Sequence, residues 1–515
     1  MGLVVLHLHL HGLFRGHDLE LGRDPDTGGQ TTYVLELARS LAARPELDRV
    51  EVLTRLIQDP RVDADYARPL ELVEPGLSIR RHRFGPAGYL AKEQLWPHLD
   101  RLVEELITSL LAAPRLPDWI HAHYADAGYV GARLQQRLGL PLVFTAHSLG
   151  REKRRRLIDA GLDPAQLDAL YALERRIAAE ELALAHSCLV VTSTRQELER
   201  QYADYANFRP ERARVIAPGV DAGVFYPPRC GGGEAAMAAV LAPLLQQPAL
   251  PPLLALCRPD PRKNVPALVE AFGRSTSLRR RHNLVLVLGP GLGAAGGEGL
   301  QRQVLDQVLA RVEHLQLQGR VALPRQLRRH QIPALYRWAA GLGGVFVNPA
   351  FTEPFGLTLL EAAASGLPLV ATNDGGPREI LQRCANGLLV DVADGAALQR
   401  ALEEALAQPL RWRRWSASGV EAVRRQFSWD AHGTRYVGEA IASIGRSRRR
   451  RRGASAWGAT PGSGGCGGAA VAGVMAVAGG HPVAEVVFPE LPAGQALAAQ
   501  FGVGHRREQL GDLQG

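Results

Sequence analysis

Two absences limit the classes of protein to which this 515-residue sequence belongs. It contains no run of roughly 18 or more unbroken apolar residues, which excludes a transmembrane helix. The five cysteines are scattered and form no C-x-x-C pair: Cys188, Cys230, Cys257, Cys384 and Cys466. This spacing excludes a disulfide framework and a thiolate zinc site, so we expect a protein of the reducing cytoplasm. We interpret the apolar N-terminus, MGLVVLHLHLHGLFRG, as a first strand rather than a secretory signal.

Lysine is nearly absent as well. Of the 60 basic residues only three are lysines, Lys92, Lys153 and Lys263, and the rest are arginines. Such a bias is typical of a GC-rich genome, in which surface lysine drifts to arginine. The three that remain are candidates for positions that need a compact ammonium group rather than a planar guanidinium.

The net charge of +8 is unevenly distributed. Residues 446–515 contain eight arginines against four acidic residues, and six of those arginines form the run RSRRRRR at 446–452. A basic run can bind nucleic acid or anionic lipid. The more common interpretation is a solvated segment, so we do not expect nucleic-acid binding by this run.

Short β-rich segments alternate with amphipathic helical segments, which is typical of an α/β fold with parallel sheets. Strands are predicted at LVVLHLHLH, VEVLTRL, WIHAHY, LPLVFTAH, SCLVVTS and ARVIAPG, and again at LLALCRP, NLVLVLG, RVALPR, GVFVNPA, LPLVATN and GLLVDV. Helices are predicted at 28–43 and 165–185. We therefore expect two Rossmann-like domains facing a cleft, with ligands at the carboxyl ends of the strands. The predicted boundaries are a first domain at 1–226, a linker at 227–252, a second domain at 253–429, a closing helix at 430–445 and a largely disordered tail at 446–515.

Three motifs carry candidate chemistry. Gly28-Gly29-Gln30 opens a helix after the first strand, where glycines allow close approach of a ligand and free N–H groups can meet an anion. In RPDPRKN, Arg258 and Lys263 can place two cations on a diphosphate.

The third motif, EPFGLTLLE, is the most specific. Its carboxylates, Glu353 and Glu361, stand on either side of a loop and a helix start, so that one can face a sugar and the other a ribose. The backbone N–H groups of Gly356, Leu357 and Thr358 can meet phosphate at the helix N-terminus. The motif resembles the E-x7-E motif of retaining nucleotide-sugar glycosyltransferases with the GT-B fold.

The resemblance extends from about residue 3 to residue 445. The segments that carry it are HGLFRGHDLELGRDPDTGGQTTYVLELARSL, HYADAGYVGA, HSLGREK, TSTRQELERQY, RPDPRKN and NPAFTEPFGLTLLEAAASGLPLVATNDGGP. Together they resemble the sucrose-phosphate synthases, which transfer glucose from a nucleoside diphosphate sugar to fructose 6-phosphate with retention of configuration. Residues 446–515 supply no Asp-x-Asp-x-Thr motif of a phosphatase-like domain. The resemblance therefore implies that a separate sucrose-phosphate phosphatase acts on the product.

The resemblance also implies roles for individual residues. Those implied at the acceptor are Gly28, Gly29, Gln30, Lys92, His123, Asp126, His147, Lys153 and Arg176, with Lys92, Lys153 and Arg176 holding its phosphate. Those implied at the donor are Gly29, Arg258, Lys263, Glu353, Phe355, Gly356, Leu357, Thr358 and Glu361. Those implied in catalysis are His147, Glu353, Arg258 and Lys263. In the implied mechanism the leaving diphosphate helps to deprotonate the acceptor, without a pair of carboxylates spaced as in glycosidases. No cofactor or bound metal is required, and a divalent cation such as Mg²⁺ would at most stimulate.

Four alternatives remain open. In LPLVFTAHSLG, Ser148 resembles the nucleophile of an α/β-hydrolase, although Ala146 replaces the first glycine of G-x-S-x-G. His7, His9 and His11 alternate along a strand and would suit a metal-dependent hydrolase. A non-enzymatic protein would be either an inactive scaffold or a nucleic-acid binder that uses the arginine run. Within the glycosyltransferases, sucrose synthase uses free fructose, and other GT-B enzymes use other phosphorylated acceptors. The motifs do not distinguish UDP from ADP or GDP.

Overall fold

The structure is a computed structural model that describes residues 2–456 apart from residues 22, 160, 230, 232, 289–299 and 325–326. Within these residues the chain forms two β-sheets flanked by helices. The strands of the first sheet are β1 (Leu3–Leu8), β2 (Leu47–Arg55), β3 (Leu70–Glu74), β4 (Leu77–His82), β5 (Trp119–His123), β6 (Leu142–Thr145), β7 (Leu189–Thr192) and β8 (Ala213–Val215). Their order is β3-β4-β2-β1-β5-β6-β7-β8, and all neighbours pair in parallel except β3 with β4.

The second sheet is parallel throughout its described strands. These are β9 (Pro252–Leu256), β10 (Asn283–Val287), β11 (Val321–Ala322), β12 (Val345–Asn348), β13 (Leu369–Thr372) and β14 (Gly387–Val390). Their order is β11-β10-β9-β12-β13-β14. The central strands are buried along their whole length because helices cover both faces, and this explains their nearly continuous apolar sequences.

The helices fall between the strands, as the alternating pattern predicts. In the first half they are α1 (Gly29–Ala42), α2 (Leu99–Ala112), α3 (Tyr124–Leu138), α4 (Gly150–Asp159), α5 (Pro164–Tyr171), α6 (Leu173–His186) and α7 (Arg195–Arg200). After these come α8 (Glu234–Leu241), α9 (Val265–Arg274), α10 (Thr276–Arg281), α11 (Leu300–His314), α12 (Ile332–Gly341), α13 (Leu357–Ala364), α14 (Pro377–Cys384), α15 (Gly395–Leu406), α16 (Pro409–Gln426) and α17 (Trp429–Ala456). None of the described helices is both long enough and apolar enough to cross a bilayer.

The structure differs from the predicted elements in the first half at two places. The β3–β4 hairpin at the sheet edge was not predicted, although Pro75-Gly76 separates its two strands. The single helix predicted at 165–185 is divided into α5 and α6, because Ala172 takes a left-handed conformation with φ 46°. The carboxylate of Asp168 then accepts a 2.7 Å hydrogen bond from the backbone N–H of Glu174 in the first turn of α6.

The segment predicted as a linker at 227–252 contains a helix, α8. Its Met237 and Leu241 are buried in the hydrophobic core of the second half, together with Leu335 and Phe346. This part of the segment therefore belongs to the second half and does not act as a free connection.

The chain returns to the first half at its C-terminal end. The backbone N–H of Val220 donates a 2.7 Å hydrogen bond to the carbonyl oxygen of Phe427, so the outgoing and returning segments run side by side. Helix α17 then packs on α1, and its Tyr436 and Val437 complete the core of the first half. The helix continues to Ala456, past the predicted end at residue 445, and the rest of the predicted tail lies outside the described residues.

Candidate active site

The two glycines at the start of α1 face open space. Gly28 is the N-cap of the helix, and a Cβ atom built on Gly28 or Gly29 would meet no atom within 4 Å. The next residue, Gln30, contacts Nδ1 of His9 through its Nε2 at 3.1 Å. The structure therefore places this motif beyond the carboxyl end of β1, as predicted, with room for a ligand beside the backbone.

Lys92, Lys153 and Arg176 come together in the first half. Burial, with smaller effects of the charges of Arg176 and Lys92, lowers the pKa of Lys153 to about 8. The Nζ of Lys153 lies 3.8 Å from the centre of the Tyr171 ring. Among the described residues no carboxylate forms a salt bridge with Lys153, so this group of cations lacks a counterion for one of its members.

The other two cations of this group have carboxylate partners. Lys92 pairs with Asp26 at 2.5 Å. The guanidinium of Arg176, which is 3% exposed, donates from Nε to Glu180 over 2.9 Å. These pairs hold Lys92 and Arg176 in place, whereas Lys153 is free to bind an anion.

Arg176 also forms two hydrogen bonds with Ser148. Its Nη2 donates to Oγ of Ser148 over 2.9 Å and to the carbonyl oxygen of the same residue over 2.8 Å. In this strand-to-helix turn the left-handed residue is His147, with φ 58°, and not Ser148. The serine therefore contacts a cation instead of a base, which contradicts the α/β-hydrolase alternative.

His123 and Asp126 lie behind the groups that can reach a ligand. His123, which is fully buried, contacts Nε2 of His147 through its Nδ1 at 3.0 Å and Nδ1 of His7 through its Nε2 at 2.9 Å. Asp126 contacts Nδ1 of His11 at 2.8 Å. His147 is only half-buried, so of His123, Asp126 and His147 it is the side chain that can contact a sugar.

The three alternating histidines do not form one cluster. Strand β1 ends at Leu8, so the alternation of side chains stops before His9 and His11, which contact Gln30 and Asp126 instead. A set of histidines with nitrogen atoms within 4.8 Å of one another is His7, His121 and His123. The alternative of a metal site built on His7, His9 and His11 is therefore not supported by the described residues. Both ring nitrogens of His123 contact other histidines, His7 and His147.

Burial keeps these histidines uncharged. It lowers the pKa of His7 to about 3 and those of His9, His121 and His123 well below the usual range. For the half-buried His147, desolvation with a smaller effect of His11 lowers the pKa to about 3. At neutral pH the ring of His147 is therefore a neutral hydrogen-bonding group.

In the second half, Lys263 contacts Glu353. Its Nζ donates to Oε2 of Glu353 over 2.7 Å, and Nδ2 of Asn348 donates to the same oxygen over 3.1 Å. Arg258, which is exposed, and Lys263 both lie near the Cys257 thiol, whose pKa burial raises to about 12 against the effect of these two charges. Two cations thus stand beyond the carboxyl end of β9, as predicted.

The start of α13 supplies backbone donors. Gly356, the N-cap, has φ +98°, and the N–H groups of Leu357 and Thr358 come first in the helix, where no helical acceptor exists for them. One turn further along, Glu361 accepts a 3.1 Å hydrogen bond from the hydroxyl of the buried Tyr336. The side chain of Phe355 packs against the core of the second half.

Comparisons with known proteins match both halves of the chain. The family model described as Glycosyltransferase Family 4 matches residues 27–224, and the one described as Glycosyl transferases group 1 matches residues 251–421. A probable sucrose-phosphate synthase 1 from Citrus unshiu is 38% identical over 497 residues, which cover 84% of this chain and 47% of the relative. A probable sucrose-phosphate synthase 5 from Oryza sativa subsp. japonica is also 38% identical, over 525 residues that cover 86% of this chain and 52% of the relative.

Among solved structures, the sucrose-phosphate synthase from Thermosynechococcus elongatus is similar with a TM-score of 0.65 and 26% identity, over 88% of this chain and 100% of the other. This chain is a homologue of the sucrose-phosphate synthases over most of its length, and both of its halves match glycosyltransferase family models. It spans about half the length of the curated relatives it matches. The glycosyltransferase WaaG, at 18% identity and a TM-score of 0.56 over 85% of this chain and 99% of the other, shows the fold alone. The predicted GT-B fold is confirmed.

Sequence reasoning assigned no role to the residues that connect the two halves of this sucrose-phosphate synthase homologue. Gln196 in the first half forms hydrogen bonds with Asp374 and Gly375 in the second. All three lie in segments that carry the resemblance, TSTRQELERQY and NDGGP. The resemblance could therefore have marked these residues as functional candidates. Only the structure shows that these two segments touch.

Proposed function

We propose that this protein transfers glucose from UDP-glucose to fructose 6-phosphate, with retention of configuration, and forms sucrose 6-phosphate and UDP. The observation that carries this proposal is the group of Lys92, Lys153 and Arg176, in which Lys153 has no carboxylate partner among the described residues. An unpaired, half-buried cation beside two others favours binding of a dianionic phosphate. Free fructose would leave this charge uncompensated.

The donor binds in the second half. We propose that Arg258 and Lys263 neutralise the diphosphate, that the N–H groups of Leu357 and Thr358 donate to it, and that Glu361 binds the ribose. Glu353 would contact the glucose beside Lys263. The positive end of α13 and the two side-chain cations favour the charge that develops on the departing diphosphate.

In the transfer step the bond from C1 of glucose to the β-phosphate oxygen breaks, and a bond from C1 to the acceptor oxygen forms on the same face. The acceptor hydroxyl gives up its proton to the diphosphate that leaves. His147, neutral because its pKa is lowered to about 3, would hold a sugar hydroxyl by a hydrogen bond. This mechanism requires no metal ion, and Mg²⁺ would at most stimulate the reaction by binding the diphosphate.

The test measures nucleoside diphosphate release from the full chain with UDP-glucose or ADP-glucose, and with fructose 6-phosphate or fructose as the acceptor. We expect release with UDP-glucose and fructose 6-phosphate. Lys153→Ala should lose most of this activity, whereas Arg156→Ala, on the same helix and paired with Glu152, should not. Release that is equally fast with free fructose would contradict the proposal and favour a sucrose synthase-like activity.

A further inference from the structure

An amide side chain joins the first and second halves across the cleft. The Nε2 of Gln196, in the first turn of α7, donates a 2.8 Å hydrogen bond to Oδ1 of Asp374. Its Oε1 accepts a 3.0 Å hydrogen bond from the backbone N–H of Gly375. Beside it, the backbone N–H of Arg195 donates to the carboxylate of Glu379. Gln196 thus donates to one residue and accepts from the next one in the same loop.

That loop is itself attached to Glu353. The backbone N–H of Glu353 donates to the carbonyl oxygen of Asp374 over 3.2 Å, and the carbonyl oxygen of Glu353 accepts from the N–H of Gly376 over 2.9 Å. The two segments form a short parallel bridge. A movement of the loop therefore moves the backbone of Glu353 with it.

The approach is close because two glycines form it. Gly375 has φ +97°, and a Cβ atom there would lie 2.0 Å from the carbonyl oxygen of Glu353. A Cβ on Gly376 would lie 2.1 Å from the carbonyl oxygen of Phe355. Backbone packed against backbone has no flexible side chain to absorb a shift, so the loop and Glu353 act as one unit.

We propose that Gln196 is a positioning residue that couples the approach of the two halves to the placement of Glu353. Because Glu353 would contact the transferred glucose, this inference rests on the proposed function for its effect on catalysis. The hydrogen bonds of the Gln196 side chain are to Asp374 and Gly375. They do not involve the cations proposed for the acceptor phosphate or those proposed for the diphosphate. The effect of Gln196 is therefore on the rate of the step at which the halves are together, and not on binding of fructose 6-phosphate.

The chemistry of the two partners explains why the residue is a glutamine. The carboxylate of Asp374 only accepts, and the N–H of Gly375 only donates, so the residue between them must do both. An amide does both at every pH. A carboxyl group does both only when it carries a proton.

This requirement gives a test with three variants, each compared with the wild-type chain at the same pH. Gln196→Ala should lower kcat about tenfold or more with the KM for fructose 6-phosphate nearly unchanged. Gln196→Glu should be similarly slow at pH 8 and should recover several-fold towards pH 6, where one proton can be shared with Asp374. In the Gln196→Glu/Asp374→Asn double variant the carboxylate accepts from both partners, so activity should be restored at both pH values. Glu199→Ala, an exposed position on the same helix, is the control.

The proposal fails if Gln196→Ala keeps the wild-type kcat. It also fails if the double variant is no faster than Gln196→Glu at pH 8. Hydrogen exchange provides a readout that needs no turnover: the amides of Glu353, Gly375 and Gly376 should exchange faster in Gln196→Ala and at the wild-type rate in the double variant. A wild-type chain that does not use fructose 6-phosphate would contradict the proposed function, while the exchange result would still decide the coupling.

Discussion

Lys263 and Glu353 are joined by a 2.7 Å hydrogen bond between residues that are 90 positions apart in the sequence. Lys263 follows β9, and Glu353 follows the neighbouring strand β12. The cation proposed for the diphosphate and the carboxylate proposed for the glucose therefore hold each other at the junction of the two parts of the donor. Each fixes the other before a substrate arrives, which lowers the cost of ordering them in the reaction.

Lys263→Ala is therefore expected to lower kcat about 100- to 1,000-fold, because it removes a fixed charge from the departing diphosphate. Lys263→Arg should recover only part of this activity, since a guanidinium differs in shape and length from an ammonium group. Steady-state kinetics with UDP-glucose would measure both. The neighbouring Arg262 pairs with Asp260, and Arg262→Ala should remain close to wild type. A Lys263→Ala enzyme with wild-type kcat would contradict the proposed role.

The acceptor site should lose affinity at alkaline pH. Lys153, whose pKa is lowered to about 8, carries its proton below that pH and loses it above. We therefore expect kcat/KM for fructose 6-phosphate to fall above pH 8, and Lys153→Ala to raise KM about 10- to 100-fold at pH 7, as for a lost charge-assisted hydrogen bond. Lys153→Arg should bind more weakly than wild type at pH 7 but should show no decline between pH 8 and pH 9. A wild-type profile that stays level to pH 9 would contradict this assignment.

The buried histidines predict that the fold is sensitive to acid. The pKa values of His7 and His147 are lowered to about 3 and that of His432 to about 4, so the unfolded chain, with a usual value of 6.5, binds protons more readily. The contribution of these neutral histidines to the free energy of unfolding is complete above pH 6.5. It is lost as the pH falls from there towards 3. Each such histidine contributes a slope of about 1.4 kcal/mol per pH unit in that range.

Thermal unfolding followed between pH 8 and pH 5 should therefore show a Tm that is level above pH 7 and falls by at least about 10 °C at pH 5. His17, which is 55% exposed at its side chain, provides the control, and His17→Gln should leave the curve unchanged. A Tm that does not change between pH 7 and pH 5 would contradict the account of the buried histidines.

Gly375→Ala should disturb the site through the backbone. The added Cβ would lie 2.0 Å from the carbonyl oxygen of Glu353 at φ +97°, so either the loop or Glu353 must move. We expect a loss of about 1–3 kcal/mol in stability and a much larger loss of kcat than of UDP binding. Gly395→Ala, at the start of α15 where a Cβ meets nothing within 4 Å, should be neutral or slightly stabilising. Denaturant unfolding together with kinetics would separate the two effects.

The fold could be predicted in most of its elements because parallel strands buried on both faces have long apolar sequences. The β3–β4 hairpin was missed since it lies at the edge, where Leu70 and Leu72 are 50% and 79% exposed and charged residues alternate with apolar ones. The break at Ala172 depends on a side-chain cap from Asp168, which apolar periodicity does not reveal.

Within the site, the grouping of Lys92, Lys153 and Arg176 was predicted from the scarcity of lysine and from the family resemblance. The contact of Gln196 with Asp374 was not, because it joins residues 178 positions apart through the packing of the two halves. The same limit applies to the histidines. Alternation suggested that His7, His9 and His11 act together, but the partners of His7 come from β5, which only the sheet order brings alongside β1.

The pairing of Val220 with Phe427 makes the second half an insertion between β8 and α17 of the first. Trp119 donates from its indole nitrogen to the Tyr436 hydroxyl over 3.0 Å. A core residue of the first half therefore has its hydrogen-bond acceptor more than 300 residues later in the sequence. At roughly 5–20 residues per second, the ribosome needs about 10–40 s to synthesise the segment between β8 and this tyrosine. The half of the protein that emerges first is thus the last to be completed, and its uncovered apolar face is exposed to chaperones throughout the synthesis of the other half.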